Sequence, residues 1–388
     1  MSYGSAAPPR VSLTGAVCAK IVCVDMTENK NSTALISAAA VVILVYGMQA
    51  AKVLLIPFLL AVFFALLCVR PMLWLEARRV PSVLAALLVV SALMLILLAV
   101  GSIVGTSIAG FTAALPEYQQ ALSTKMQTAI DLIESLFDAD ISADSLRNAL
   151  DPGRAMGMAA GLLTALRGVL TNTFLILFTM VFILLEASSI QTKARAAFGT
   201  KTRTFDRPRQ FLDNLGRYLG IKTVVSIATG IIVGFMTAAF GLDFPLLWAM
   251  LAFLLNYIPN IGSIIAAVPA VLLALVQLTA PEAVCIAIGY VAINMLIGNI
   301  VEPRLMGYGV GISPLIVFVG LVFWGWVFGP VGMLLSVPLT MALKMGLESN
   351  DNTRWIAILV GSESDAEYAL AQRQREEAEQ KDEQAKNA

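Results

Sequence analysis

The sequence predicts an all-α polytopic membrane protein with about six full spans and two broken re-entrant helical hairpins that form an inverted repeat. Three observations lead there. Of the 388 residues, 58% are hydrophobic and 13% charged, and the mean hydropathy is +0.82, far more apolar material than a soluble core of this size encloses. The apolar residues fall in long runs, with lysine and arginine gathered in some of the gaps between them. Two further apolar stretches break at proline and glycine before reaching the roughly 17 to 25 residues that a crossing needs.

Residues 1–33 are mixed in character. The apolar run Val11–Val24 is interrupted by Lys20 and followed by Asp25, without the unbroken core and cleavage site of a signal peptide. They read as a poorly ordered cytoplasmic leader, with Met26 as an alternative start. The spans are drawn at Ala34–Ala51, Val53–Val69, Val83–Ile108, Leu162–Leu185, Tyr218–Phe240 and Ala283–Ile300. The domain plan is then 34–111 for three spans, 112–160 for an extracytoplasmic segment, and 161–217 for the fourth span with a basic segment. Residues 218–347 form the inverted-repeat region, and 348–388 a cytoplasmic tail.

Orientation follows from the basic residues. Arg70, Arg78 and Arg79 lie between the second and third spans, and Lys193, Arg195, Lys201, Arg203, Arg207, Arg209 and Arg217 follow the fourth, so both segments face the cytoplasm. Residues 112–160 carry Glu117, Asp131, Glu134, Asp138, Asp140, Asp144 and Asp151 against Lys125, Arg147 and Arg154, which places them outside. There Leu115, Leu122, Met126, Ile130, Ile133 and Phe137 recur at three and four, the pattern of an amphipathic helix. It packs on its own bundle or lies at the mouth of a pathway. The tail is rich in Glu, Gln, Lys, Arg and Ala and sustains no apolar heptad, as in a solvated segment. Both termini are then cytoplasmic.

The first broken stretch runs from Pro245 to Asn256, breaks at Pro259-Asn260-Ile261-Gly262, and continues through Pro269 to Gln277. The second runs from Pro314 through Trp324 and Trp326, breaks at Gly329-Pro330-Val331-Gly332, and continues through Pro338 to Lys344. Each follows one span, and the two spans run in opposite directions. Inverted repeats of this kind bring two hairpin tips toward the midplane and suit alternating access, because unwound backbone at membrane depth is tolerated only against protein or a wet cavity. Two ordinary helices kinked by proline and glycine fit the same turn positions.

Polar residues at membrane depth are the candidate pathway, because burying them in hydrocarbon costs free energy unless they are paired or wet. Asn256 and Asn260 flank the first break, with Ser263 close behind. Asn294, Asn299 and Glu302 fall within about 140° at about 100° per residue, so one regular helical face presents all three. Arg304 follows Pro303, and the proline is expected to end regular helix there. Glu302 and Arg304 either satisfy each other at a helix end or couple to a substrate or ion; the asparagines either join helices or contact a solute. Lys222, Asp243 and Glu186 lie near span ends and read as snorkelling anchors. Trp324 and Trp326 read as packing or belt aromatics, with stacking on a sugar-like ligand as the alternative.

Several classes are excluded. Histidine is absent, which removes histidine-ligated zinc or haem, and the four cysteines (Cys18, Cys23, Cys68, Cys285) are scattered without disulfide or metal spacing. No phosphate-binding loop, nucleophile elbow or paired catalytic carboxylates occur, so the chain reads as no enzyme, with no cofactor or metal, and any transport would be secondary or passive. The expected partners are a small polar solute, the lipid bilayer and a further copy of the chain, with no nucleic acid.

Three motifs in order carry a family resemblance: Leu247-Trp248-Ala249 through Asn256-Tyr257-Ile258-Pro259-Asn260-Ile261-Gly262-Ser263, then Gly298-Asn299-Ile300-Val301-Glu302-Pro303-Arg304-Leu305-Met306-Gly307, then Phe323-Trp324-Gly325-Trp326 through Gly329-Pro330-Val331-Gly332 to Pro338-Leu339-Thr340. They resemble the autoinducer-2 exporter family of bacterial inner-membrane proteins. The likeness runs more loosely from about Leu35 to Leu359, taking in Pro57 and Tyr218-Leu219-x-x-Lys222-Thr223. It implies an eight-helix-class exporter in the inner membrane, assembled as a homo-oligomer, that releases autoinducer-2 in quorum sensing. Members have also been assigned sodium/proton exchange, so an antiporter on the same scaffold, or an uncoupled channel, stands as the alternative. Uncharged asparagines suit a small polyhydroxylated solute; an antiporter wants deep carboxylates, for which Glu302 and Asp243 are the nearby candidates.

Overall fold

The computed structural model describes residues 30–137, 173–198, 203–259, 261–306, 311–349 and 353–363, with isolated positions at 157, 161, 366–367, 370–371 and 374–375. All regular structure among them is helical. Helix α1 (Lys30–Ala50) belongs to a unit of its own ending at Ala51, and it carries leucine, valine and isoleucine on every side, as a helix surrounded by apolar material does.

The second unit begins at Lys52. It contains α2 (Lys52–Ala77), α3 (Ser82–Phe137), α4 (Thr173–Phe198), α5 (Arg203–Ala239), α6 (Pro245–Leu255), α7 (Gly262–Gln277) and α8 (Ala280–Leu296). A π-helical turn, Ile297–Val301, leads from α8 into α9 (Glu302–Met306), and α10 (Pro314–Phe328), α11 (Pro330–Leu334), α12 (Ser336–Glu348) and α13 (Arg354–Val360) complete the chain. Among the described residues, four helical stretches are long and apolar enough to cross a membrane: Lys52–Ala77, Ser82–Thr128, Gln210–Ala239 and Ala280–Met306. The apolar parts of α1 and α4 among the described residues, Leu35–Ala50 and Thr173–Glu186, are shorter, and the expected start of the fourth span at Leu162 lies outside the described residues.

Three elements differ from the sequence expectation. The third span and the amphipathic segment form one 56-residue helix, α3, without a turn near Ile108. Pro116 interrupts a single backbone bond, and the helical periodicity continues across it: Tyr118 and Leu122 bury themselves in the same core as Phe111. The fifth span begins far upstream, because the basic segment from Arg203 to Arg217 is already helical. The sixth does not end at Pro303. The turn before it widens, with the Glu302 amide donating to the Ile297 carbonyl five residues back, and a helix resumes through the proline to Met306.

Two apolar cores organise this unit. One joins the second half of α3 to α6, α7 and α8 around Trp248, Leu251, Leu273 and Ile286. The other joins α2, the start of α3 and α4 to the first half of α5 and to α12, around Met180, Leu184 and Leu219. The first helix break touches both: Ile258 belongs to the first core and Tyr257 to the second.

Candidate functional site

The site is built on one face of α5. Lys222, Ser226, Thr229 and Thr237 recur at helical spacing, and all four are buried. Thr229 and Thr237 satisfy themselves by donating to the Val225 and Val233 carbonyls of their own helix. Lys222 and Ser226 instead reach other elements. Close approach to α6 is possible because Gly230 and Gly234 face Ala249, leaving α6 to lie against α5 with no large side chain between them.

Helix α6 stops at Leu255, and Pro259 prevents its continuation. The turn delivers two polar side chains to α5. Asn256 Nδ2 donates to Ser226 Oγ at 2.9 Å in a buried setting, and the Tyr257 hydroxyl donates to Thr223 Oγ1 at 2.7 Å. The Tyr257 ring is held edge-on by Phe63 of α2 and Phe253 of α6, with centroids 5.7 and 5.9 Å away. The tip is therefore fixed by two side-chain hydrogen bonds, each contributing about 1 kcal/mol net, and by aromatic packing.

One turn along α5, Lys222 Nζ lies 2.6 Å from Glu302 Oε1, with side-chain exposures of 6% and 17%. An ion pair this enclosed is held against a large desolvation cost, and losing either partner is expensive. The π turn sits immediately before Glu302 and sets the register of its carboxylate. Lys222 belongs to the span leading into the first broken helix and Glu302 to the span leading into the second, so the pair joins the two.

The two breaks share a geometry. A methyl group on Gly262 would overlap the Leu255 carbonyl oxygen and stand 3.0 Å from Ile258 Cβ; one on Gly332 would overlap the Trp324 carbonyl oxygen and stand 2.9 Å from Phe328 Cβ. In each case the returning helix passes so close to the end of the preceding one that only glycine fits. Gly329 adds a backbone conformation (φ 67°, ψ −147°) that side-chain-bearing residues rarely adopt. Pro330 then opens α11, and a second irregularity at Leu335 separates α11 from α12.

At the far end of the first broken pair, Asp243 is the centre of a polar cluster. Its carboxylate accepts from the Tyr118 hydroxyl at 2.9 Å and from the Gln277 side-chain amide, and its backbone amide donates to Gln277 Oε1 at 3.0 Å. Lys125 Nζ donates to the carbonyls of Leu275 and Leu278, where α7 ends. The long α3 is thereby fastened to both ends of the α6–α7 pair. Across the next turn, Thr279 and Glu282 form a capping box that starts α8.

These placements sort the expected residues. Asn256 is buried and bonded to α5; Ser263 is half-buried in the first turn of α7, and Asn260 lies outside the described residues. Asn294 is half-buried and Asn299 exposed, and a π turn, Ile297–Val301, stands between Asn294 and Glu302 where a regular helix was expected. Glu302 pairs with Lys222 and leaves Arg304 exposed. Lys222 is not a snorkelling anchor, because α5 starts so far upstream that it is mid-helix and buried; Asp243 is exposed just beyond the end of α5, where Tyr118 and Gln277 donate to it. Trp324 is buried, stacked on Phe328 and donating Nε1 to Thr340 Oγ1 at 3.2 Å, which makes it a packing residue; Trp326 is exposed. Sequence reasoning passed over Thr223, Ser226 and Tyr257, although the recurrence of polar residues along one face of an apolar run announces a shared partner.

Helices too short to cross, arranged in two like breaks against membrane-length helices that carry a buried ion pair, define a multi-pass membrane protein of the transporter class. Residues 36–349 match the AI-2E family transporter, and the chain belongs to that family. It is 38% identical over 320 residues to the AI-2 transport protein TqsA of Escherichia coli (strain K12), covering 82% of this chain and 92% of that protein. It is 37% identical over 346 residues, 88% of this chain and 99% of the relative, to a Haemophilus influenzae protein provisionally described as a transport protein. The provisionally described transport protein YhhT of Escherichia coli (strain K12) is 34% identical over 327 residues, 84% and 93% of the two chains. The family is one of transporters, and these relatives are named as transport proteins, not enzymes.

Proposed function

We propose that this protein is a secondary transporter that exports a small polar signalling molecule of the autoinducer-2 kind by alternating access. The observation that carries the proposal is the likeness of the two breaks, each with a glycine against the preceding helix's carbonyl, on helices of 11 and 15 residues. As re-entrant hairpins entering from opposite faces, they meet near the midplane, and exchange of equivalent conformations opens the pocket to each side in turn. Asn256, Asn260, Ser263, Asn294 and Asn299 supply amide and hydroxyl partners for a polyhydroxylated cargo, and the hydrogen bonds of Asn256 and Tyr257 to α5 fix the first tip in the state described here. In this scheme the six remaining apolar segments cross the bacterial inner membrane, both termini are cytoplasmic, and copies of the chain assemble into a homo-oligomer.

One observation favours a second reading, sodium/proton exchange on the same scaffold: the buried Lys222 and Glu302 pair supplies the deep carboxylate that an antiporter needs. Proteoliposomes separate the two. Saturable flux of labelled autoinducer-2 with no sodium-driven change in an internal pH dye supports export; pH change without signal flux rejects it. Asn256→Ala and Asn260→Ala are expected to lower flux while inserting normally, and normal transport by both would overturn the site assignment.

A further inference from the structure

Helix α13 has an outward face that the rest of the described chain leaves uncovered. Thr353 Oγ1 donates to the Leu347 carbonyl at 2.8 Å, which turns the chain after α12, and buried Ala357 seats the inner face of α13 against that helix. Its far end is tied to the base of the second broken pair, because the Ser313 amide donates to the Val360 carbonyl at 3.2 Å. Lys344 Nζ holds the neighbouring Gly311 carbonyl at 2.6 Å. Outward point Trp355 and Leu359, one turn apart and 59% and 69% exposed, with exposed Arg354 beside them.

The start of the second broken pair, to which α13 is tied, shares an apolar core with α2. Ile312, next to Ser313, lies in one core with Met72 and Met341. Trp74, two residues beyond Met72, is 57% exposed, and the Arg78 guanidinium stands 4.6 Å from its ring centroid where the helix ends. Helix α2 is long enough to cross a membrane, and a tryptophan with an arginine at the end of such a helix marks the headgroup boundary. A second tryptophan and arginine, Trp355 and Arg354, stand on a helix of seven residues, far too short to cross, whose end is hydrogen-bonded to Ser313 beside Ile312 of that core.

We propose that α13 lies flat in the headgroup boundary of the bilayer, with Trp355 and Leu359 dipping into the upper acyl region and Arg354 meeting lipid phosphate, so that the base of the second broken pair is pinned to the membrane surface. A basic and aromatic amphipathic face on a helix too short to cross suits a lipid surface: the apolar side chains leave water while the guanidinium keeps an anionic partner.

The test uses the full-length protein in vesicles of phosphatidylethanolamine and phosphatidylglycerol. The emission lost on Trp355→Phe isolates the signal of that one tryptophan among the five in the chain. This component is expected to be quenched about twofold more by lipids brominated near the carbonyl end of the acyl chain than by lipids brominated near its terminus, and to be nearly indifferent to aqueous iodide. Strong iodide quenching with no response to either bromolipid would mean that the face is in water and would overturn the proposal. Protection from both quenchers would mean that a second copy of the chain covers the face, and would overturn it equally. A nitroxide at Leu359→Cys, in a background with the native cysteines replaced, gives an independent depth: greater accessibility to oxygen than to a water-soluble nickel chelate is expected, and the reverse refutes the assignment.

Discussion

Glu302→Gln is the sharpest perturbation of the site. Removing the carboxylate charge leaves the Lys222 ammonium enclosed, with that residue only 4% exposed and an amide in place of its counter-ion. Exposed ion pairs contribute about 0–1 kcal/mol, but isolating one partner of a buried pair costs about 3–5 kcal/mol. The 17% exposure of the Glu302 side chain puts the expected loss toward the lower end, about 3 kcal/mol. Lys222→Met with Glu302→Gln removes the stranded charge as well, and the double variant is expected to recover to within about 1 kcal/mol of the wild type. The difference, a coupling of about 2 kcal/mol or more, is read from a double-mutant cycle on unfolding midpoints in detergent. A Glu302→Gln loss below about 1 kcal/mol, or a double variant that merely sums the two single losses, would refute the claim that these charges depend on each other in the interior.

Three further outcomes are expected. Gly262→Ala and Gly332→Ala each force a methyl group into a carbonyl oxygen and should cost stability in the upper part of the range of about 1–3 kcal/mol for overpacking, seen as a lowered thermal midpoint; Gly346→Ala, with no described atom within 4 Å of the added carbon, should be neutral or slightly stabilising. Asp243→Asn leaves neutral bonds in place of the charge-assisted ones to Tyr118 and Gln277, a loss of up to about 1 kcal/mol at this exposed position, and amide hydrogen exchange over residues 241–248 should rise while that of α2 does not. The Tyr290 hydroxyl is buried without a hydrogen-bond partner among the described residues, so Tyr290→Phe should raise the stability by up to about 1 kcal/mol; a fall would show that the hydroxyl is satisfied in the folded membrane state.

Composition and breaker positions make the class and the chain order of this protein legible before any coordinates. Apolar runs of sufficient length, and proline and glycine at 259–262 and 329–332, act locally through backbone sterics, so their effect is readable in one dimension. The end of α6 and the start of α7 fall where Pro259 and Gly262 announce them. Helix continuity was less legible. A span drawn from hydropathy stops where apolar residues stop, but backbone hydrogen bonding does not: α3 and α5 run on through polar sequence, α3 across Pro116 with the loss of a single backbone bond.

By itself, then, the sequence determined that the chain is helical and membrane-bound, which residues interrupt its helices, and which family it resembles, because all of these rest on local chemistry and on residue identity. Only the tertiary structure decided what the interruptions face. That Lys222 meets Glu302 across 80 positions, that Asn256 reaches Ser226, and that two glycines 70 residues apart fill the same kind of contact depend on how helices cross. A single π turn, Ile297–Val301, replaces the regular helix that the sequence suggested around Asn299. Such pairings are chosen by packing among helices, where each buried polar group must find a partner, and no periodicity within one helix names the helix it will meet.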